Sequence, residues 1–244
     1  MKAIKAVNKT PTLVDVPEPT GEGIKVKVVS ASICGSDLHL LRADRFGDNI
    51  IGHEFGGIAE DGRAVAIEPV PGCGNCLQCD NGQRVHCEAG FYIMGIMGDG
   101  GMAEYVTAPT NTLVELPTGL DVATACLVEP LAVAIHGLNR ARLNEKDRIL
   151  IVGAGPIGLA TGAVLQARGL NYDIVARYDH QKAAAESLGG SVQENSGYNL
   201  VIDAVGTTES MQQSIQAAAP LARIGLVGAG WDGINLDMSF SNKE

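Results

Sequence analysis

Basic charge is scarce in this sequence. Eighteen Lys and Arg stand against 28 Asp and Glu over 244 residues, a formal net charge of −10. Nucleic acid and anionic lipid surfaces both require a net basic face, so neither is expected as a partner. Cysteine is sparse too: six residues, four of them crowded between positions 73 and 87, far below the density of a secreted disulfide scaffold. That crowding points to metal in a reducing compartment. The N-terminal MKAIKAVNKTPTLVDV never builds the continuous apolar core of a signal peptide, which implies a cytoplasmic protein. Long apolar runs are also missing. The longest uncharged stretch, Ile149 to Ala167, is broken by Gly153, Gly155, Pro156 and Gly158 and reads as strand, turn, helix rather than as a membrane span. No internal repeat or low-complexity tract interrupts the chain. What remains, 45% hydrophobic and 19% charged residues, suits a globular protein acting on small molecules, with enough length for two small domains.

The pattern changes midway. To about residue 138 the chain carries short β-branched runs, Ile24 to Ser30 and Ala64 to Val70, separated by Gly and Pro. From Arg148 onward strands and helices alternate: RILIV, a helical stretch to Gly169, DIVAR, a helix, NLVIDAV, a polar helix from Glu209 to Ala219, and a fifth strand at Arg223 to Val227. The expected fold class is therefore α/β, with a β-rich domain over residues 1–138 and a doubly wound parallel sheet over 139–244. The junction falls in Val122 to Asn144, which looks helical apart from Pro130.

Three constellations carry chemistry. Cys73, Cys76, Cys79 and Cys87 lie in PGCGNCLQCDNGQRVHC at spacing that lets four thiolates close a tetrahedral shell around Zn²⁺, and the x7 gap disfavours an iron–sulfur cluster. With no position left open, that zinc is structural. The second set is scattered: Cys34 in ICGSDLH, His53 and Glu54 in GHEFGG, and Glu129 in LVEPLAV. A thiolate, an imidazole and a carboxylate suit a catalytic zinc, while each alone is more often a buried thiol, a surface histidine or a helix carboxylate. The third is Gly153, Gly155 and Gly158 in VGAGPIG, a G-x-G-x-x-G between a strand and a helix, where glycines let a pyrophosphate approach the helix N-terminus. At the end of the next strand an acid would bind the ribose of NAD and an arginine the 2′-phosphate of NADP. The sequence there is DIVARYDH, so Ala176 and Arg177 favour NADP over NAD, unless the strand runs two residues longer and offers Asp179.

Together, ICGSDLH, GHE, the four-cysteine lobe, DGGMAEYV, EPL, GAGPIG and NLVIDAVG resemble the zinc-dependent medium-chain dehydrogenase/reductase family over essentially the whole chain. The resemblance implies a GroES-like catalytic domain followed by a Rossmann domain, with the active site in the cleft between them and two zinc ions per chain. Cys34 and His53 would bind the catalytic zinc, with Glu54 and Glu129 as ligands directly or through water. Ser36 would take the substrate proton, His39 would pass it toward solvent, and Asp37 would orient His53. Gly153, Gly155, Pro156, Ile157, Gly158 and Arg177 would hold the dinucleotide. EPLAVAIHG is similar to the polyol and secondary-alcohol branch, so the implied substrate is a secondary alcohol, polyol or sugar. The alternatives are a threonine-type amino-alcohol dehydrogenase and a non-catalytic NADP-binding zinc protein. Two stretches, Leu40 to Ile51 and Ile58 to Arg63, are shorter than the family pattern, which unsettles the pocket shape. The sequence stops at SNKE, where a sixth strand would begin, so it reads as a fragment of a longer, homo-oligomeric enzyme.

Overall fold

Only two residues separate the first pair of extended runs. Strands β1 (Lys2–Val7) and β2 (Thr10–Asp15) pair antiparallel with Val7 opposite Thr10, leaving Asn8 and Lys9 to make the turn. Both have left-handed φ, 51° and 61°, as a type I′ hairpin requires. The structure is a computed structural model and describes residues 1–228.

The IKVKVVSAS run becomes β3 (Ile24–Ser32), burying Val26 and exposing Lys27. It is followed by α1 (Gly35–Arg42), β4 (Glu54–Ala59), β5 (Ala64–Ile67), the short α2 (Leu77–Asp80), β6 (Tyr105–Ala108) and β7 (Leu113–Glu115). These strands form an antiparallel sheet in the order β6-β3-β4-β5-β7. Val26, Phe55, Val65, Ile67 and Val106 pack as its core, each burial contributing roughly 1.5–3 kcal/mol. The β3–β4 ladder places Ser32 directly opposite Glu54. Between β5 and β6 the chain makes an excursion that carries the four clustered cysteines. Its base is closed where the Met94 N–H donates to the Pro69 carbonyl at 2.9 Å.

A 3₁₀ turn, Val122–Leu127, runs into α3 (Val128–Arg140). The chain divides into two compact units between Glu129 and Pro130, inside the first turn of α3 and ahead of residue 138. Pro130 is tolerated there because an N–H in the first turn has no helical partner to lose.

The second unit alternates β8 (Ile149–Val152), α4 (Pro156–Ala167), β9 (Asp173–Val175), α5 (Asp179–Ser187), β10 (Ser191–Val192), β11 (Tyr198–Asp203), α6 (Thr208–Ala217) and β12 (Ala218–Leu226). The strands are parallel in the order β10-β9-β8-β11-β12, the doubly wound arrangement expected. All four residues of β8 are buried, as in a strand covered on both faces. The uncharged stretch from Ile149 to Ala167 is thus strand, glycine turn and helix. Two boundaries differ from the sequence reading. Strand β9 stops at Val175, before Ala176 and Arg177. The fifth strand begins at Ala218 rather than Arg223, and it contains Pro220 and a left-handed Leu221 at φ 61°, with the register against β11 slipping between Tyr198 and Leu200. The alanines there favour helix, but Ala218 and Ala222 pack with Tyr198 and Val201, and tertiary burial overrides propensity. The place expected for a sixth strand lies outside the described residues.

Candidate functional site

Helix α1 starts at Cys34 because Asp37 caps it: one Asp37 oxygen, Oδ2, accepts the Cys34 N–H at 3.0 Å. The other oxygen, Oδ1, faces Nδ1 of His53 at 3.2 Å, without the alignment of a full hydrogen bond. Asp37, His53 and Glu54 are all buried. The ligand atoms of Cys34, His53 and Glu54 lie within 4.8 Å of one another. Ser36 Oγ is 3.4 Å from Nε2 of His53, the ring nitrogen that Asp37 leaves free. His39 is exposed, three residues further along the helix. Glu129 stands outside the 4.8 Å set but within range of its charges.

The electrostatics favour a cation here. Burial works against a proton on His53, yet the Asp37 carboxylate and then Cys34 outweigh it and raise the ring to about 10. Burial pushes Glu129 up to about 7, opposed by His53 and helped by Glu54 and Asp37. A pocket that attracts a proton this strongly, built of one thiol, one imidazole and one carboxylate, fits a divalent transition metal. Sequence reasoning missed Ser32, whose hydroxyl donates to Glu54 Oε2. A lone serine at a strand end has no sequence signature, and only the β3–β4 register reveals it.

The sulfur atoms of Cys73, Cys76, Cys79 and Cys87 also lie within 4.8 Å of one another, and no cysteine is disulfide-bonded. Zn–S bonds of about 2.3 Å in a tetrahedron require sulfurs roughly 3.8 Å apart, and Cys73 and Cys79 stand at 3.9 Å. Backbone N–H groups point at the sulfurs: those of Glu88 and Cys79 hold the Cys76 thiol down at about 6, and that of Ala89 lowers Cys87. At Gly72, φ 61°, a Cβ would come within 2.7 Å of Cys79 Sγ. Preformed N–H donors and a glycine cradle are the surroundings a four-thiolate zinc needs. Arg84 ties the lobe to the sheet unit through Glu68 and the Asn111 carbonyl, and Asn111 Nδ2 donates to the Pro71 carbonyl.

In the second unit a cleft of about 470 Å³ opens where β8, β9 and β11 end, lined by Gly153, Gly155, Val175, Arg177, Tyr178 and Thr207 among others. Pro156, Ile157 and Gly158 form the adjoining first turn of α4. A Cβ on Gly158 would lie 1.8 Å from the Gly153 carbonyl, so only glycine lets helix and strand meet. In front of Gly155, the residue capping α4, a Cβ would meet nothing within 4 Å. Open space before a helix N-terminus fits a pyrophosphate. Arg177 lines the cleft with its guanidinium 5.4 Å from the Tyr178 ring centre, whereas the fully exposed Asp179 pairs with Lys182 at 3.1 Å. Asp203, also overlooked in the sequence, is buried at the end of β11 and accepts from Val205 N–H, Gly206 N–H and Ser210 Oγ, shaping the opposite wall.

Residues 21–118 match the alcohol dehydrogenase GroES-like domain. The chain is 30% identical over 243 residues to the starvation-sensing protein RspB of Escherichia coli (strain K12), an alignment covering 88% of this chain and 71% of that protein. It is 30% identical over 230 residues to L-galactonate-5-dehydrogenase of the same strain, covering 82% and 67%. Among solved structures, galactitol-1-phosphate dehydrogenase from Escherichia coli superimposes with a TM-score of 0.89 at 25% identity, covering 99% of this chain and 80% of that one. On these matches the chain belongs to the zinc-dependent, NAD(P)-linked medium-chain alcohol and polyol dehydrogenases.

Proposed function

We propose that this protein transfers a hydride reversibly between a secondary alcohol, polyol or sugar and NADP, with one catalytic and one structural zinc ion per chain. The observation that carries the reading is the meeting of Cys34, His53 and Glu54 within 4.8 Å, with Asp37 on His53. A non-catalytic zinc protein has use for four thiolates but not for a second, mixed donor set. A zinc ion held by Cys34, His53 and Glu54 would supply Lewis-acid polarisation of the substrate oxygen, and a nicotinamide cofactor would supply the hydride chemistry.

The remaining work belongs to the chain. When the alcohol carbon gives up its hydrogen with the electron pair and the C=O bond forms, the hydroxyl proton must leave. Ser36 Oγ, beside His53 Nε2, would take it while giving up its own hydroxyl proton toward the exposed His39 on the same helix, which would release a proton to solvent. Of the two carboxylates, Glu54 lies in the donor set and would bind the metal directly, while Glu129 lies outside it. Arg177 on the cleft, with Asp179 engaged by Lys182, supports NADP over NAD. The activities of the relatives on L-galactonate and galactitol 1-phosphate support a polyol or sugar-derived substrate.

Initial rates with polyols, secondary alcohols and threonine, each with NADP and NAD, test the reading. Turnover of a polyol or secondary alcohol, lost on chelation, is the expected result. Failure to turn over any alcohol, or full activity in Cys34→Ser, overturns it.

A further inference from the structure

Ser32 has no part in the mechanism above, yet it touches the donor set. It ends β3 directly across the ladder from Glu54, and its hydroxyl donates to Glu54 Oε2 at 2.5 Å. The Ser32 hydroxyl oxygen also lies 3.3 Å from the Cys126 carbonyl, the longer of its two contacts. Two residues back on the same face, Ser30 accepts the Cys126 N–H at 3.2 Å and reaches the Val122 carbonyl at 3.2 Å. Ser30 therefore fastens the Val122–Leu127 turn to the strand beside Ser32, and that turn leads directly into the start of α3, where Glu129 sits. One strand end thus contacts Glu54 itself and the segment that delivers the competing carboxylate.

A serine hydroxyl has a single proton to give. Committed to Oε2, it fixes the rotation of a buried carboxylate whose neighbours are Cys34 and His53. We infer that Ser32 is a positioning residue that sets Glu54, rather than Glu129, as the carboxylate donor of the metal site. The inference rests on the zinc assignment of Cys34, His53 and Glu54.

Cobalt(II) titration of the full chain, followed by visible absorption, separates the two. Subtracting the spectrum of Cys34→Ser removes the contribution of the four-cysteine lobe and isolates this site. In Ser32→Ala, cobalt affinity at the site is expected to fall roughly 10- to 100-fold, the usual cost of losing a group that orients a ligand, and the d–d bands to shift as the donor set changes. Ser32→Thr keeps the hydroxyl and restores both. Where the alanine variant does not fold, Ser32→Gly takes its place, with folding read from retention of the lobe's metal. Affinity and bands indistinguishable from the unmutated chain overturn the inference while leaving the zinc site standing. Identical cobalt uptake by the unmutated chain and Cys34→Ser removes the site itself, and the inference with it.

Discussion

Asp37 holds two structures together at once: Oδ2 receives the Cys34 N–H at 3.0 Å while Oδ1 faces His53 Nδ1 at 3.2 Å. Capping α1 and aiming the imidazole are therefore one function of one carboxylate. Asp37→Ala is expected to cost about 0.5–2 kcal/mol of stability through the lost cap and to weaken metal binding at this site roughly 10- to 100-fold. Calorimetric titration with zinc measures the second effect, and unchanged affinity would contradict the shared role.

Cation and proton compete for the same ring. With His53 raised to about 10, the ion-free ring is protonated at neutral pH, and zinc must displace that proton. Zinc uptake at pH 7 is expected to release protons, and apparent affinity to climb roughly tenfold per pH unit for each proton displaced, flattening as pH passes the ring's own value. Titrations in buffers of different ionisation enthalpy read the proton count directly. Zinc binding without proton release would refute it.

The two proposed metal sites should fail differently. Cys79→Ser removes one of four thiolates from a loop with little core of its own and is expected to lower the melting temperature and zinc content more than it alters the chemistry at Cys34. Cys34→Ser or His53→Ala is expected to abolish turnover while dinucleotide affinity stays near that of the unmutated chain. Metal analysis of the purified protein should give two zinc ions per chain, and a value below one would count against the structural assignment.

Arg177 provides the clearest test of cofactor choice. Arg177→Ala is expected to weaken NADP binding by about 1.5–3 kcal/mol, roughly ten- to hundredfold, through loss of a charge-assisted contact, and to leave NAD nearly unaffected. Equal affinity of the unmutated protein for both dinucleotides would overturn the preference.

Gly158→Ala tests the cradle. Its methyl would need the space of the Gly153 carbonyl, 1.8 Å away, so α4 must shift from β8. A stability loss of about 1–3 kcal/mol, typical of overpacking, should accompany weaker binding of either dinucleotide. Normal cofactor affinity in a folded variant would show that the glycine turn does not hold the pyrophosphate.

Much of this site was legible because each motif carries its own local geometry. Four cysteines within one loop and a glycine turn between strand and helix leave few other conformations. Cys34, His53 and Glu54 were harder, since spacing says nothing about which loops converge, and their meeting depends on α1 starting next to β4. Ser32 and Asp203 could not be read at all: the first acquires its role from cross-strand register, the second from a buried hydrogen-bond network at a strand end. The fifth strand was misplaced for a related reason. Its alanines suggest helix, and only packing with Tyr198 and Val201 makes them strand. Arg177 lines the cleft although β9 ends two residues before it, earlier than the sequence suggested.

The hydrogen bond from Met94 to Pro69 joins the two ends of the cysteine excursion at its base. Everything between those residues is consequently an insert on a finished sheet, anchored by Arg84 and Asn111 and held in shape by its thiolates. If the four thiolates hold zinc as proposed, its removal should open that insert alone, turning residues 70 to 93 into the first target of a protease while β3, β4 and β5 stay protected.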